Sequence, residues 1–385
     1  MARSAELGIR RLEDIVFYVH DIARSHQFYT ERVDFALIGR STPGRDERRG
    51  ETVRVYQAGD VRVTVTQPID AGSESGRYLK RHPDGIATLV FEVADVAKTF
   101  AVLDERGATI VDDVRWHDDG DGGRLGSFEI TTPFGEGRFR FVERAGGYAG
   151  LGEGMESLPL PGTTNRFGFE RYDHVTSNFL TLGPMELWCK EVLGLEEFWE
   201  IEFHTDDVAH QDDHGSGLKS TVLWDPHSGV KFANNEPKRP FFESSQIYTF
   251  VMDNLGPGFQ HVALTTTDII ATVKGLRDRG VVFMPTPGSY YDVLPERIAR
   301  LGIGGIDEDI EVLRGLEILV DGAGERSYLL QIFLKEASGL YADAKAGPFF
   351  FEIIQRKGDA GFGGGNFRAL FESIELEEKR SGKRA

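Results

Sequence analysis

Three residues of this chain have the side chains that hold a metal ion, and each sits where such a side chain is costly. His174 lies in Asp173-His174-Val175-Thr176-Ser177-Asn178. His261 lies in Gly258-Phe259-Gln260-His261-Val262-Ala263-Leu264, and Glu352 in Phe349-Phe350-Phe351-Glu352-Ile353-Ile354-Gln355-Arg356. Each stretch reads as a buried β-strand, where an imidazole or carboxylate is expensive unless something compensates it. Two histidines and one carboxylate on three strands make a facial set with three adjacent open coordination positions. That set suits Fe(II) holding a bidentate organic ligand together with O2, although Zn2+, Mn2+ or Ni2+ also bind such donors. One carboxylate leaves the site net positive, which would draw an anionic α-keto acid. Strand alternation puts Phe350, Glu352 and Ile354 on one face, and likewise His174, Thr176 and Asn178.

The elements that must position these residues repeat along the chain. Asp95 and Asp268 each open a helical pattern, and each is followed at the same offset by Arg-Gly, at Arg106-Gly107 and Arg279-Gly280. Asp caps such a helix, and Gly releases the chain into the next strand. Two further modules start at Asp14 and Asp173 and lead into helices around residues 25–32 and 185–192. The chain thus reads as four βαβββ modules in two pairs, joined by a Gly/Pro/Ser/Thr-rich linker over residues 146–168. Aligned on their shared Asp and Arg positions, His174 falls on Ile15, His261 on Thr88 and Glu352 on Arg140. The metal-type residues therefore belong to the second pair alone.

Other polar residues have blander readings. Ser220, Asn235, Gln246, Gln260 and Gln331 fall in predicted strands or at strand edges, where amides and hydroxyls commonly satisfy backbone or each other. They would equally serve a small aromatic ligand carrying a phenol and a keto acid. Gln260 poses a parity problem, because next to His261 on a regular strand it faces the other way; a bulge or a supporting role would resolve it. His204, His210 and His214 lie in an acidic stretch that reads as a solvated loop. Cys189 reads as core. At the C-terminus, Gly361 to Gly365 precede a helical pattern of Phe367, Leu370, Phe371 and Ile374, with Asn366 able to cap it: an amphipathic helix, or a gate on a glycine hinge.

The chain has 385 residues, with 44 basic against 62 acidic side chains and a net charge of −18. Its length predicts two domains, residues 1–150 and 151–385. The negative balance argues against nucleic acid or an anionic membrane as partner. No apolar run reaches membrane-spanning length, the first residues show no secretory signal, and one cysteine forms no internal disulfide, so a cytoplasmic location is expected.

Several strings together resemble the 4-hydroxyphenylpyruvate dioxygenase family: Gln260-His261-Val262-Ala263-Leu264, Leu330-Gln331-Ile332-Phe333, Phe350-Phe351-Glu352-Ile353-Ile354-Gln355-Arg356, Asn235-Glu236-Pro237, Ser245-Gln246-Ile247, Tyr290-Tyr291 and Gly361-Phe362-Gly363. The similarity is dense from about residue 172 to 378 and persists in the first half mainly as module pattern. It implies the α+β vicinal oxygen chelate fold: two open β-barrels, an N-terminal one lacking metal ligands and a C-terminal one that binds Fe(II) and carries a gating helix. It implies His174, His261 and Glu352 as the iron ligands. It implies a substrate site lined by Ser220, Asn235, Gln246, Gln260 and Gln331, with Phe333, Phe350, Phe362 and Phe367 as aromatic wall and gate. The implied reaction joins O2 to an aromatic 2-oxo acid, releasing CO2 and giving homogentisate in tyrosine and phenylalanine catabolism. A homo-oligomer (dimer or tetramer) is expected, and the N-terminal pair, having lost its ligands, is a natural surface for its assembly. The related 4-hydroxymandelate synthase is the alternative, disfavoured by Phe367, where that branch tends to carry a smaller aliphatic residue. A non-catalytic protein that sequesters a small aromatic is a third reading. Ala233, Gly364 and Trp224-Asp225-Pro226-His227 depart from the family pattern.

Overall fold

The computed structural model describes residues 2–161, 164–204, 217–240 and 242–366. The two helix-opening aspartates act as caps. Asp95 accepts from the Lys98 N–H ahead of helix Val96–Glu105, and Asp268 accepts from the Ala271 N–H ahead of helix Ile269–Asp278. The other two module helices, Ile22–Gln27 and Gly183–Trp188, each widen into a π-helical turn, Phe28–Arg32 and Cys189–Leu193. Cys189 is buried there, beside Met185.

The strands form two sheets. The first contains β1 (Ile9–Tyr18), β2 (Ala36–Ser41), β3 (Glu51–Ala58), β4 (Val61–Pro68), β5 (Gly85–Val93), β6 (Arg115–Asp118), β7 (Arg124–Thr131), β8 (Arg138–Ala145) and β9 (Met155–Ser157). The second contains β10 (Phe169–Asn178), β11 (Glu196–His204), β12 (Gly217–Trp224), β13 (Lys231–Pro237), β14 (Gly258–Thr266), β15 (Leu319–Gly322), β16 (Tyr328–Phe333) and β17 (Phe350–Lys357). Their orders are β6-β7-β8-β5-β1-β4-β3-β2-β9 and β11-β12-β13-β10-β14-β17-β16-β15. Each half is therefore two βαβββ modules joined through their first strands, β1 with β5 and β10 with β14, both antiparallel. Within each module the first and last strands pair in parallel. Two details differ from the sequence reading. β9 lies inside the segment read as linker and pairs with β2. Between helix Ile269–Asp278 and β15 the fourth module carries three inserted helices, Gly288–Asp292, Leu294–Arg300 and Ile310–Leu316.

The pairing register corrects one alignment. Val16 pairs with Thr88 on β5, and Thr176 pairs with His261 on β14. Counting back two residues from each, the counterpart of His174 is Asp14, not Ile15. Glu352 and Arg140 remain counterparts, through the pairs Ala263 with Glu352 and Val90 with Arg140. Asp14 and Asp173 are not counterparts: Asp173 sits at an irregularity whose counterpart is Glu13, which displaces the match by one residue.

The two sheets pack back to back through the face opposite these positions. Phe17 meets Phe349 edge-on at 4.8 Å between ring centroids, Phe134 stacks on Phe259 at 5.2 Å, and Phe139 stacks on Phe232 at 5.7 Å. One cluster of buried apolar side chains runs through both halves. An open cleft lined by Phe17, Phe28, Tyr29 and Leu334 lies at this junction. On its β17 side it is lined by Phe349, Phe350 and Phe351 but by none of His174, His261 and Glu352, so it is not the site of the metal-type residues. Among the described residues no helix is long and apolar enough to cross a membrane.

Candidate metal centre

His174, His261 and Glu352 come together on the concave face of the second sheet, from the adjacent strands β10, β14 and β17. All three are buried, and one donor atom of each lies within 4.8 Å of the others. Glu352 Oε2 is 3.3 Å from His174 Nε2 and 3.4 Å from His261 Nε2. Ala263 lies between His174 and Glu352 in the register, and its small side chain leaves the two room to converge.

Both histidines are oriented by the residue before them. The ladder skips Asp173 between Tyr172 and His174, and skips Gln260 between Phe259 and His261. Each is a β-bulge residue, and a bulge turns two consecutive side chains toward one region. His174 Nδ1–H donates to Asp173 Oδ1 at 2.8 Å, and His261 Nδ1 lies 3.2 Å from Gln260 Oε1. With Nδ1 so engaged, each ring presents Nε2 to the centre. The parity problem at Gln260 thus has both expected answers, a bulge and a supporting contact.

The electrostatics favour a cation. Burial alone would lower the His174 pKa, but the charge of Glu352 and the bond to Asp173 outweigh it and raise it to about 9. Burial holds His261 below its ordinary value, with Glu352 pulling the other way. Burial would raise Glu352, yet the two imidazoles hold it below the usual range. Without a metal the site is a carboxylate, one imidazolium and one neutral imidazole. Glu352 Oε1 is buried and accepts no hydrogen bond among the described residues. An orphaned carboxylate oxygen beside two aimed imidazoles fits a bound metal ion, and the site is a metal-binding one.

Register places the other expected residues. Ser220, Asn235 and Asn178 form one cross-strand row on the same face, with Asn235 donating to Asn178 Oδ1 at 3.0 Å. Phe350 pairs with His261 and stacks on it at 4.8 Å, while Phe333 pairs with Glu352 and meets His261 edge-on at 5.8 Å. Gln331 shares that face two residues before Phe333. Phe362 is buried with its ring centroid 4.8 Å from that of His174. Gln246 differs: it is exposed, in the first turn of helix Gln246–Asp253 capped by Ser245, because the run after it has helical spacing of Ile247, Phe250 and Val251. Phe367, His210 and His214 lie outside the described residues. Asn366 lies in helical residues 364–366, and its Oδ1 accepts from Tyr290 at 2.7 Å and Arg297 at 3.0 Å; the helix expected from residue 367 on lies outside the described residues.

The glycines before Asn366 are sites of close approach. A Cβ on Gly363, whose φ is +65°, would lie 2.5 Å from Gln331 Oε1, and one on Gly364 would lie 2.3 Å from the Trp199 ring. That contact accounts for glycine at 364. Ala233 packs with Val222 and Phe362. In the turn Trp224-Asp225-Pro226-His227, buried Asp225 accepts from Ser4 Oγ at 2.7 Å, tying the chain's start to the second sheet. Sequence reasoning did not select Asp173, Asn178 or Arg356 as site residues. The signal for Asp173 was adjacency to His174; Asn178, whose Nδ2 is buried without a partner among the described residues, was visible only as a face-sharing neighbour.

Comparisons with known proteins give the same direction. The Glyoxalase/Bleomycin resistance protein/Dioxygenase superfamily model matches residues 11–137 and 186–294. A 4-hydroxyphenylpyruvate dioxygenase of Caenorhabditis elegans is 37% identical, over 80% of this chain and 77% of that protein. One of Coccidioides posadasii is 32% identical, over 97% of this chain and 94% of that protein. A solved structure of a mutant 4-hydroxymandelate synthase from Streptomyces coelicolor superposes with a TM-score of 0.78 and 26% identity, covering 96% of this chain and 99% of that one.

Proposed function

Since the chain belongs to the 4-hydroxyphenylpyruvate dioxygenase family, within the Glyoxalase/Bleomycin resistance protein/Dioxygenase superfamily, we propose that it converts 4-hydroxyphenylpyruvate and O2 to homogentisate and CO2 with Fe(II). The observation that carries the reading is the convergence of His174, His261 and Glu352 on the concave face, with a buried carboxylate oxygen left unpartnered. Bound there, Fe(II) supplies the positions at which an α-keto acid and O2 meet and the electrons that activate O2.

The chain's own residues hold and shield that centre. Asp173 and Gln260 hold the imidazoles so that Nε2 faces inward. Phe350 and Phe333 wall the His261 side, and Phe362 covers His174, excluding water from the ligands. Ser220, Asn235, Asn178 and Gln331 offer neutral donors and acceptors, suited to orienting a phenol and a keto acid without an opposing charge. The reading places the enzyme in the cytoplasm as a homo-oligomer, to be checked by light scattering.

His261→Ala should abolish both metal binding and substrate-dependent oxygen uptake; retained turnover would sink the proposal. The likeness to the 4-hydroxymandelate synthase structure supports a second reading with the same substrate, metal and ligands but benzylic hydroxylation. Aerobic incubation with Fe(II) and 4-hydroxyphenylpyruvate, with the product identified by chromatography and mass, separates homogentisate from 4-hydroxymandelate. Absence of oxygen uptake would favour a binding protein instead.

A further inference from the structure

We propose that Arg356 is a positioning residue that makes the metal ligand His174 and the segment carrying Phe362 one closed unit, a proposal that rests on the triad holding a metal as read above. The contacts form a ring. His174 Nδ1 donates to Asp173 Oδ1 at 2.8 Å. Asp173 takes two bonds from Arg356, Nε to Oδ2 and Nη2 to Oδ1, each 2.7 Å. Arg356 Nη1 donates onward to the carbonyls of Asp359 at 3.0 Å and Gly361 at 2.7 Å. Phe362 follows, and its ring returns to that of His174 at 4.8 Å. The side chains of Asp173 and Arg356 are 5% and 16% exposed, so water competes little for these bonds. Only a guanidinium has enough fixed donors to grip a carboxylate on one edge and backbone carbonyls on the other.

The first half shows what is inherited and what is new. There Glu13 occupies the bulge position of Asp173 and accepts from Arg144 Nε at 2.9 Å, while Arg144 Nη1 donates to the Gly150 carbonyl at 2.9 Å. Arg144 stands four residues after Arg140, as Arg356 stands four after Glu352. Carboxylate, arginine and a tied-down following segment are thus a property of the repeat. In the second half the carboxylate is one methylene shorter and bonds a histidine. The lysine at the place of Arg62, Lys231, lies over the Phe362 ring at 5.6 Å rather than pairing with the bulge carboxylate as Arg62 does. The inherited clamp has become a link between a metal ligand and the cover over it. By reciprocity, whatever seats Phe362 strengthens metal binding, and metal binding seats Phe362.

The test uses full-length protein and cobalt(II) as probe. Affinity is read by competition with a chromophoric chelator, geometry by the cobalt absorption spectrum, and seating of the segment by the rate of proteolysis between Asp359 and Gly365. In the wild type, saturating cobalt should slow that cleavage. Arg356→Gln should bind cobalt about 10–100-fold more weakly, and saturating cobalt should no longer slow cleavage. Asp173→Asn should weaken cobalt binding similarly, and decides the matter should Arg356→Gln fail to fold. Arg144→Gln, which breaks the matching clamp in the other half, should leave cobalt affinity and protection unchanged; that separates positioning from a general loss of stability. Wild-type affinity together with wild-type cobalt protection in Arg356→Gln would overturn the proposal. A wild type that binds no cobalt would overturn it together with the functional reading.

Discussion

His174 carries the proton that a metal must displace. Its pKa stands at about 9 in the folded, metal-free protein against an ordinary 6.5, because the charges of Glu352 and Asp173 outweigh burial. The sign follows directly: this stabilisation of the metal-free fold is complete below 6.5 and is lost as pH rises through 9. Metal binding runs the other way, since His261 is already neutral and Glu352 already ionised. Apparent metal affinity should therefore climb about tenfold per pH unit between 6.5 and 9 and then level off, as measured by chelator competition. A flat profile over that range would show that the ligand proton is not the one in play.

At the level of elements, the bulges in β10 and β14 do the positioning. Counterparts at Glu13 and Ala87 are present in the first sheet, so the bulges belong to the repeat and were used, not created, by the metal half. A bulge makes a ligand and its supporting residue neighbours in sequence, which regular alternation forbids. The glycines after Phe362 likewise work by close approach. Gly363→Ala would put a Cβ 2.5 Å from the Gln331 amide at a left-handed φ. We expect it to displace Phe362 and raise KM for 4-hydroxyphenylpyruvate several-fold while metal affinity falls less; an unchanged KM would count against Phe362 as cover.

Across the whole molecule, one half brings three metal-type side chains together and the other closes a charge network on itself. At the counterparts of His174, His261 and Glu352 stand Asp14, Thr88 and Arg140, and Arg140 pairs with Glu129 at 2.5 Å. Burial lifts the Asp14 carboxyl to about 7, against Arg62 and Thr64, from an ordinary 3.8. Its contribution to stability is complete below 3.8 and lost as pH rises through 7. Asp14→Asn should therefore gain stability relative to wild type at pH 8 and not at pH 4, by urea denaturation. The back-to-back packing of Phe17, Phe134 and Phe139 on Phe349, Phe259 and Phe232 sets a second expectation. Removing residues 1–150 exposes that aromatic face, so the remaining chain should aggregate rather than fold as a monomer; a soluble, metal-binding fragment would contradict it.

Fold class, the fourfold module and the three metal-type residues that converge were legible in the sequence because each leaves a local mark: a capping Asp, a terminating Gly, a polar residue in an apolar strand. Gln246 was misread because its short surrounding run does not distinguish a strand edge from a helix start. Asp14 was missed as the counterpart of His174 because an irregularity shifts register by one residue without changing composition. What only the tertiary structure decided is how neighbours across strands meet: Asp173 on His174, Arg356 on Asp173, Phe362 on His174. Those contacts depend on register, bulges and the path of the chain after β17, none of which a linear pattern of residue types records.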